Sequence, residues 1–150
     1  MNRNRIALVI LVAGSLLLIG ILMLASPRQG PERKGHADVT VVLDFGGQAP
    51  SGGPAGSAGN ASWTFQLRLD NATAFSALEA ASRAGNFTFK SDWYPNFGSH
   101  RVSEIAGVRD GTDNRYWQYY VNGQYMDKGA DLVGIGNGDT VRWEFRSALQ

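Results

Sequence analysis

Residues 116–130, YWQYYVNGQYMDKGA, gather one Trp and four Tyr around an Asn-Gly pair, with the amide of Gln118 among them. Aromatic rings with polar edges can stack on a ligand and hydrogen-bond it, or they can fill a core. Strand alternation divides this set: Trp117, Tyr119 and Val121 share one face, and Tyr116, Gln118 and Tyr120 share the other. With Trp63, Phe65, Trp143 and Phe145 at matching inward positions, the first set is expected to be core. The second set forms a strip able to stack and to hydrogen-bond. DWYPNF adds Trp93, Tyr94 and Phe97 on an expected loop, where recognition and lid-like packing stand as equal readings. The candidate ligand-binding residues are therefore Trp93, Tyr94, Phe97, Tyr116, Gln118 and Tyr120.

Catalysis has less to work with. His36 and His100 are the two imidazoles, and no Ser lies in a Gly-x-Ser-x-Gly elbow, so a nucleophile, base and orienting acid have no local signature. The glycines of GIGNGD, at 134, 136 and 138, lack dinucleotide-binding spacing and lead into a strand, where phosphate binding needs a helix N-terminus. DGTDN, with Asp110, Asp113 and Asn114, lacks the alternating ligands and distal Glu of a calcium loop and reads as an Asx turn. There is no Cys, hence no disulfide, thiolate metal site or Cys nucleophile. No catalytic residue, metal site or enzymatic activity is expected, and the cofactor is left unassigned.

The elements that must position the aromatics follow from punctuation and periodicity. DVTVVLDF (38–45) is rich in β-branched residues and SWTFQLRLD (62–70) alternates, so both read as strands, joined by the Gly-, Ala-, Ser- and Pro-rich stretch 46–60 as a flexible connection. A helix follows, with Thr73 as N-cap, an apolar stripe of Phe75, Leu78, Ala81 and Ala84, Arg83 in the last turn and Gly85 as the left-handed stop. Next come a strand at 86–90, an aromatic turn from Asp92 to Gly98 and a strand from His100 to Val108. Tyr116–Val121 and Gln124–Met126 make a hairpin on Asn122-Gly123, and Thr140–Phe145 is the last strand. The expected fold class is α+β, a curved mixed sheet packed on one helix in a β-grasp-like arrangement spanning 38–150.

Ahead of that domain, Ile6–Ala25 is a run of 20 residues without a charged side chain, enough for a helix to cross about 30 Å of hydrocarbon. Residues 1–27 are expected to be a retained transmembrane signal-anchor, followed by a polar tether over 28–37; Met23-Leu24-Ala25 is a poor cleavage site. The domain is then extracytoplasmic at the cell surface, or secreted if the leader is cleaved. The sequons at Asn60, Asn71 and Asn86 are compatible with that placement. From His36 onward 9 basic side chains face 12 acidic ones, the wrong balance for neutralising phosphates, so nucleic acid is not an expected partner.

The stretch YWQYYVNGQYMDKGADLVGIGNGDTVRWEF, preceded by VSEIAGV and by TAFSALEAA, resembles the transcobalamin-like C-terminal domain family. The most specific matches are Tyr-Trp-x-Tyr-x-Val-Asn-Gly at 116–123, Gly129-Ala130, and Gly138-Asp139-x-Val141-x-Trp143. The resemblance implies a β-grasp domain related to soluble-ligand-binding modules, without catalytic residues. In the cobalamin carriers of that family the corrin lies between this kind of domain and a helical one, which this chain does not contain. The expected function is a membrane-anchored binding module for a soluble ligand such as a corrinoid or a glycan. The alternative is a surface protein–protein interaction domain, with a protein partner completing the site. A small-molecule site predicts a concave pocket lined by the candidate rings; protein docking predicts a flat patch or an open sheet edge.

Overall fold

In a computed structural model, residues 36–57 and 59–148 are described. The expected membrane helix lies outside them, as does the tether up to residue 35. Among the described residues no helix is long and apolar enough to cross a membrane.

β1 (Ala37–Asp44) carries the alternation its β-branched sequence demands, with Val39, Val41 and Leu43 fully inward and Thr40, Val42 and Asp44 outward. It is central. β2 (Ser62–Leu69) pairs with it antiparallel, setting Phe65 opposite Val41, and on its other side β8 (Thr140–Ser147) runs parallel, setting Val141 opposite the same residue. β6 (Arg115–Val121) pairs antiparallel with β8 and turns into the short β7 (Gln124–Tyr125), giving the sheet order β2-β1-β8-β6-β7. The hairpin turn sits on Asn122 and Gly123, both at positive φ (51° and 80°) as a type I′ turn requires. The inner face collects Trp63, Phe65, Trp117, Tyr119, Trp143 and Phe145, all at most 8 % exposed, so parity sorted the core rings as expected. Each such side chain contributes on the order of 1.5–3 kcal/mol by burial.

α1 (Ala74–Gly85) packs on that face. Thr73 caps it through a reciprocal pair, the Thr73 amide donating to Ser76 Oγ (2.8 Å) and the Ser76 amide donating to Thr73 Oγ1 (3.2 Å). The buried stripe is Ala74, Phe75, Ala77, Leu78, Ala81 and Gly85; Ala84, expected in it, faces solvent. Gly85 is not the stop either. Asn86 takes the left-handed conformation (φ 51°), while Gly85 lies in the last turn of the helix, where a Cβ would lie 2.6 Å from the Phe65 ring.

The remaining strands form a separate sheet, where one continuous sheet was expected. β3 (Phe89–Tyr94), β4 (Ser99–Ile105) and β5 (Val108–Arg109) lie in sequence order, all antiparallel. The expected strand 86–90 is displaced toward the C-terminus, and Trp93 and Tyr94 belong to β3, not to a loop; the turn proper is the 3-10 segment Pro95–Phe97, closed by Gly98. The strand expected over 100–108 breaks at Ala106 and Gly107, both at positive φ. Ala106 tolerates this because its amide donates to Thr88 O (2.8 Å), its carbonyl accepts from Ser51 (2.6 Å) and its methyl is buried.

That Ser51 contact also fixes the Gly-rich connection. Composition predicts a flexible link over 46–60, but the Trp63 ring occupies the space a side chain at Gly53 would need, and Arg115 donates to the Gly46 carbonyl. Backbone bonds from Gln48, Ser57 and Asn60 fold it into successive turns. The low apolar content is offset by hydrogen bonding to neighbours.

Candidate functional site

Between β6 and β4, walled at one end by residues 125–130, lies a cleft of about 410 Å³. Tyr116, Trp117, Gln118 and Tyr119 all line it. Four consecutive residues of a strand point alternately up and down, so they share a cavity only where the cavity runs along the strand's edge. The edge is open because β7 covers β6 only at Tyr120 and Val121.

Of the candidate ligand-binding residues, the cleft brings together Tyr94, Phe97, Tyr116 and Gln118. Tyr94 and Phe97 are 40 % and 72 % exposed, with ring centroids 6.5 Å apart. Trp93 and Tyr120 lie elsewhere. Trp93 packs edge-on against His100 at 5.0 Å, while Tyr120 contacts Tyr125 at 5.7 Å and accepts a hydrogen bond from Arg146 Nη1 (3.2 Å). Parity explains the Tyr120 outcome: it points to the outer face at the one part of β6 that β7 covers.

Several lining residues escape a reading of the sequence. Trp117 and Tyr119 are core residues, 8 % and 7 % exposed, that also wall the cleft through the open edge. Asp110, in an expected Asx turn, spans the two sheets instead: Oδ1 accepts from the Trp117 amide (2.7 Å) and Oδ2 from Arg101 Nη2 (3.1 Å). Burial lowers the Arg101 pKa, yet Asp110 and Tyr94 outweigh it and leave the guanidinium more basic than usual. Lys128 O accepts from the Tyr119 hydroxyl (2.6 Å), and burial, with Asp127 nearby, pushes that phenol up to about 12. Gly129 lets this wall meet β4, since any Cβ there would collide with Ser99. Nothing in local sequence pattern signals these contacts, which join residues from different strands and turns.

Behind the cleft, Asp131 staples the wall to β4. It accepts from Ser99 Oγ (2.7 Å) and the His100 amide (2.8 Å) and meets His100 Nδ1 at 2.9 Å. Burial raises its pKa, but these bonds outweigh burial and hold the carboxyl below the usual range. The His100 ring stacks on Phe75 with centroids 4.5 Å apart. The Ser, His and Asp here do not form a catalytic relay, because the Ser99 hydroxyl and the His100 ring both address Asp131 and the hydroxyl meets only the His100 carbonyl (3.3 Å), not the ring. Among the described residues, no three His, Cys, Asp or Glu side chains are grouped to hold a metal.

The matched motif residues act on the fold. Asn122 Nδ2 donates to Asp139 Oδ1 (2.8 Å), Asn122 Oδ1 accepts from the Thr140 amide (2.9 Å), and Asp139 Oδ2 accepts from the Gly136 amide (2.7 Å). The bond from Asn122 and then that from Gly136 lower the Asp139 pKa.

Two of the solved structures similar to this fold are informative. A protein of Ruminococcus gnavus ATCC 29149, proposed to bind metal, shares 15% identity at a TM-score of 0.53, covering 75% of this chain and 99% of its own. Haptocorrin, in a complex with Cbi, shares 17% identity at a TM-score of 0.55, covering 83% of this chain, which spans only 28% of haptocorrin. At such identities the likeness is one of fold, the transcobalamin-like fold that the sequence resemblance implies. No curated protein matches the sequence. The family model "Domain of unknown function (DUF4430)" matches residues 71–147, from the entry to α1 through β8, and the chain belongs to that family.

Proposed function

We propose that this protein is a non-catalytic, membrane-anchored binding module that holds a soluble ligand in the cleft between β4 and β6 on the extracytoplasmic side. The observation that carries the reading is convergence. Tyr94, Phe97, Tyr116 and Gln118, from two strands and a turn, meet on one open cleft. Its volume of about 410 Å³ is within the range of small-molecule sites, about 300–1,000 Å³. The haptocorrin likeness makes a corrinoid the first ligand to try and a glycan the second. Because the chain spans 28% of haptocorrin, a protein partner completing the site fits the same reading.

The test is titration of the full chain in mild detergent with cobalamin, Cbi and a glycan panel, followed by calorimetry and tryptophan fluorescence; Trp117 and Trp143 both line the cleft. Saturable binding that Tyr94→Ala and Phe97→Ala weaken about tenfold supports the reading. Absence of any small-molecule binding transfers the cleft to a protein partner.

A further inference from the structure

The open edge of β6 carries a hydrogen-bonding code. Even-numbered residues of β6 turn their amides and carbonyls to β8, as the Asn122 amide donating to Thr140 O continues, so the odd-numbered residues face the cleft. Along that edge the Arg115 carbonyl accepts from Gly111 (2.7 Å), the Trp117 amide donates to Asp110 Oδ1 (2.7 Å), and the Tyr119 carbonyl accepts from the Met126 amide (3.1 Å). Between these, the Trp117 carbonyl and the Tyr119 amide take no partner from the described residues. Backbone groups withdrawn from water are almost always paired. Here one acceptor and one donor, on alternate residues of the strand's free edge, belong to two residues that line a cavity.

We infer that the cleft recognises an extended peptide unit, one residue whose N–H donates to the Trp117 carbonyl and whose C=O accepts from the Tyr119 amide. In a parallel β-ladder, the N–H and C=O of a single residue bridge the carbonyl of residue i and the amide of residue i+2 on the neighbouring strand. That is the spacing β6 leaves free. The gap is one residue long, because Asp110 closes it on one side and Met126 on the other. The ligand's flanking side chains meet Tyr94 and Phe97 on one lip and Tyr125, 44 % exposed, on the other. Main-chain pairing supplies the recognised group and the aromatic lips supply the preference for side chains. The inference rests on the cleft being the ligand site, and not on a corrinoid being the ligand.

The test changes the ligand, so folding of the protein is not at stake. Isotope-labelled full chain in detergent is titrated with the capped tripeptide acetyl-Ala-Phe-Ala-amide and with its analogue in which the Ala–Phe amide is an ester, which removes one N–H. The tripeptide is expected to move the Tyr119 amide proton downfield and slow its exchange. The ester is expected to bind about tenfold more weakly, since it leaves the Trp117 carbonyl unpaired. Equal binding of the two, or an unmoved Tyr119 amide at saturation, overturns the inference. If Cbi binds and neither tripeptide nor ester does, the peptide code is overturned while the binding-module reading stands. If the tripeptide binds and Cbi does not, the code is upheld and the ligand class is set. If nothing binds, both fail.

Discussion

At the scale of single residues, the cleft depends on side chains whose roles differ from what their neighbours in sequence suggest. Asp131 follows Gly129-Ala130 and looks like turn chemistry, yet it collects three hydrogen bonds from Ser99 and His100. Its folded pKa lies below the ordinary value, so it stabilises the fold above the unfolded pKa, and that contribution drains away as pH falls through the folded one. Asp131→Asn is expected to cost about 1–3 kcal/mol near neutral pH. It should also flatten the loss of stability that denaturant melts of the unsubstituted chain show below about pH 4. Tyr119 works in the opposite direction. Its folded pKa, pushed up to about 12, favours the neutral phenol, so its contribution is complete below about pH 10 and is lost as pH rises toward the folded value. Ultraviolet titration should show one phenol ionising near 12 that is absent in Tyr119→Phe. Tyr94, Phe97, Tyr116 and Gln118 stand out in the sequence as a surplus of rings with an amide among them, and the fold places all four on the cleft. The sequence concealed Asp110 because a carboxylate that caps a strand edge has no local pattern distinct from one that closes a turn.

Elements were legible where punctuation was strong. Asn122-Gly123 specified its turn, Thr73 its cap, and period-two alternation the inward faces of β2, β6 and β8. The errors came where tertiary contact overrode propensity. A glycine near a helix end is ordinarily its left-handed stop, but Gly85 is held inside α1 by the Phe65 ring, and Asn86 accepts the positive φ instead. Substitutions separate these roles. Gly85→Ala should destabilise by about 1–3 kcal/mol through overpacking against Phe65, although alanine is the better helix former. Asn86→Gly should be neutral or gain up to about 1 kcal/mol, because glycine adopts that backbone freely. Thermal melts of the two variants distinguish a packed glycine from a capping one. The β4–β5 turn was illegible for a similar reason. IAGV at 105–108 looks like continuous strand, and the Ala106 amide donating to Thr88 O, with the Ala106 carbonyl accepting from the Ser51 amide, holds Ala106 in a turn that alanine does not favour.

For the whole molecule, the two sheets matter more than either alone. Had β3–β5 continued the main sheet from the edge of β6, the open carbonyl and amide there would be consumed by a neighbouring strand and no cleft would exist. The separation, bridged by Asp110 at one end and closed by the approach of Gly129 to Ser99 at the other, turns an ordinary α+β core into a binding surface. On the proposed reading such a surface samples ligand from the compartment it faces, which makes the leader part of that proposal. Ile6–Ala25 carries no charge, while Arg28, Arg33 and Lys34 follow within nine residues, too polar to enter hydrocarbon with it. The full chain is therefore expected to sediment with membranes and to resist extraction by high salt or alkaline carbonate. A form lacking residues 1–25 should be soluble and keep the same tryptophan emission, because all four tryptophans, the buried Trp63, Trp117 and Trp143 and the exposed Trp93, lie in the domain that follows. Release of the unaltered chain by carbonate would make the leader a peripheral or cleaved segment and would detach the binding module from the bilayer.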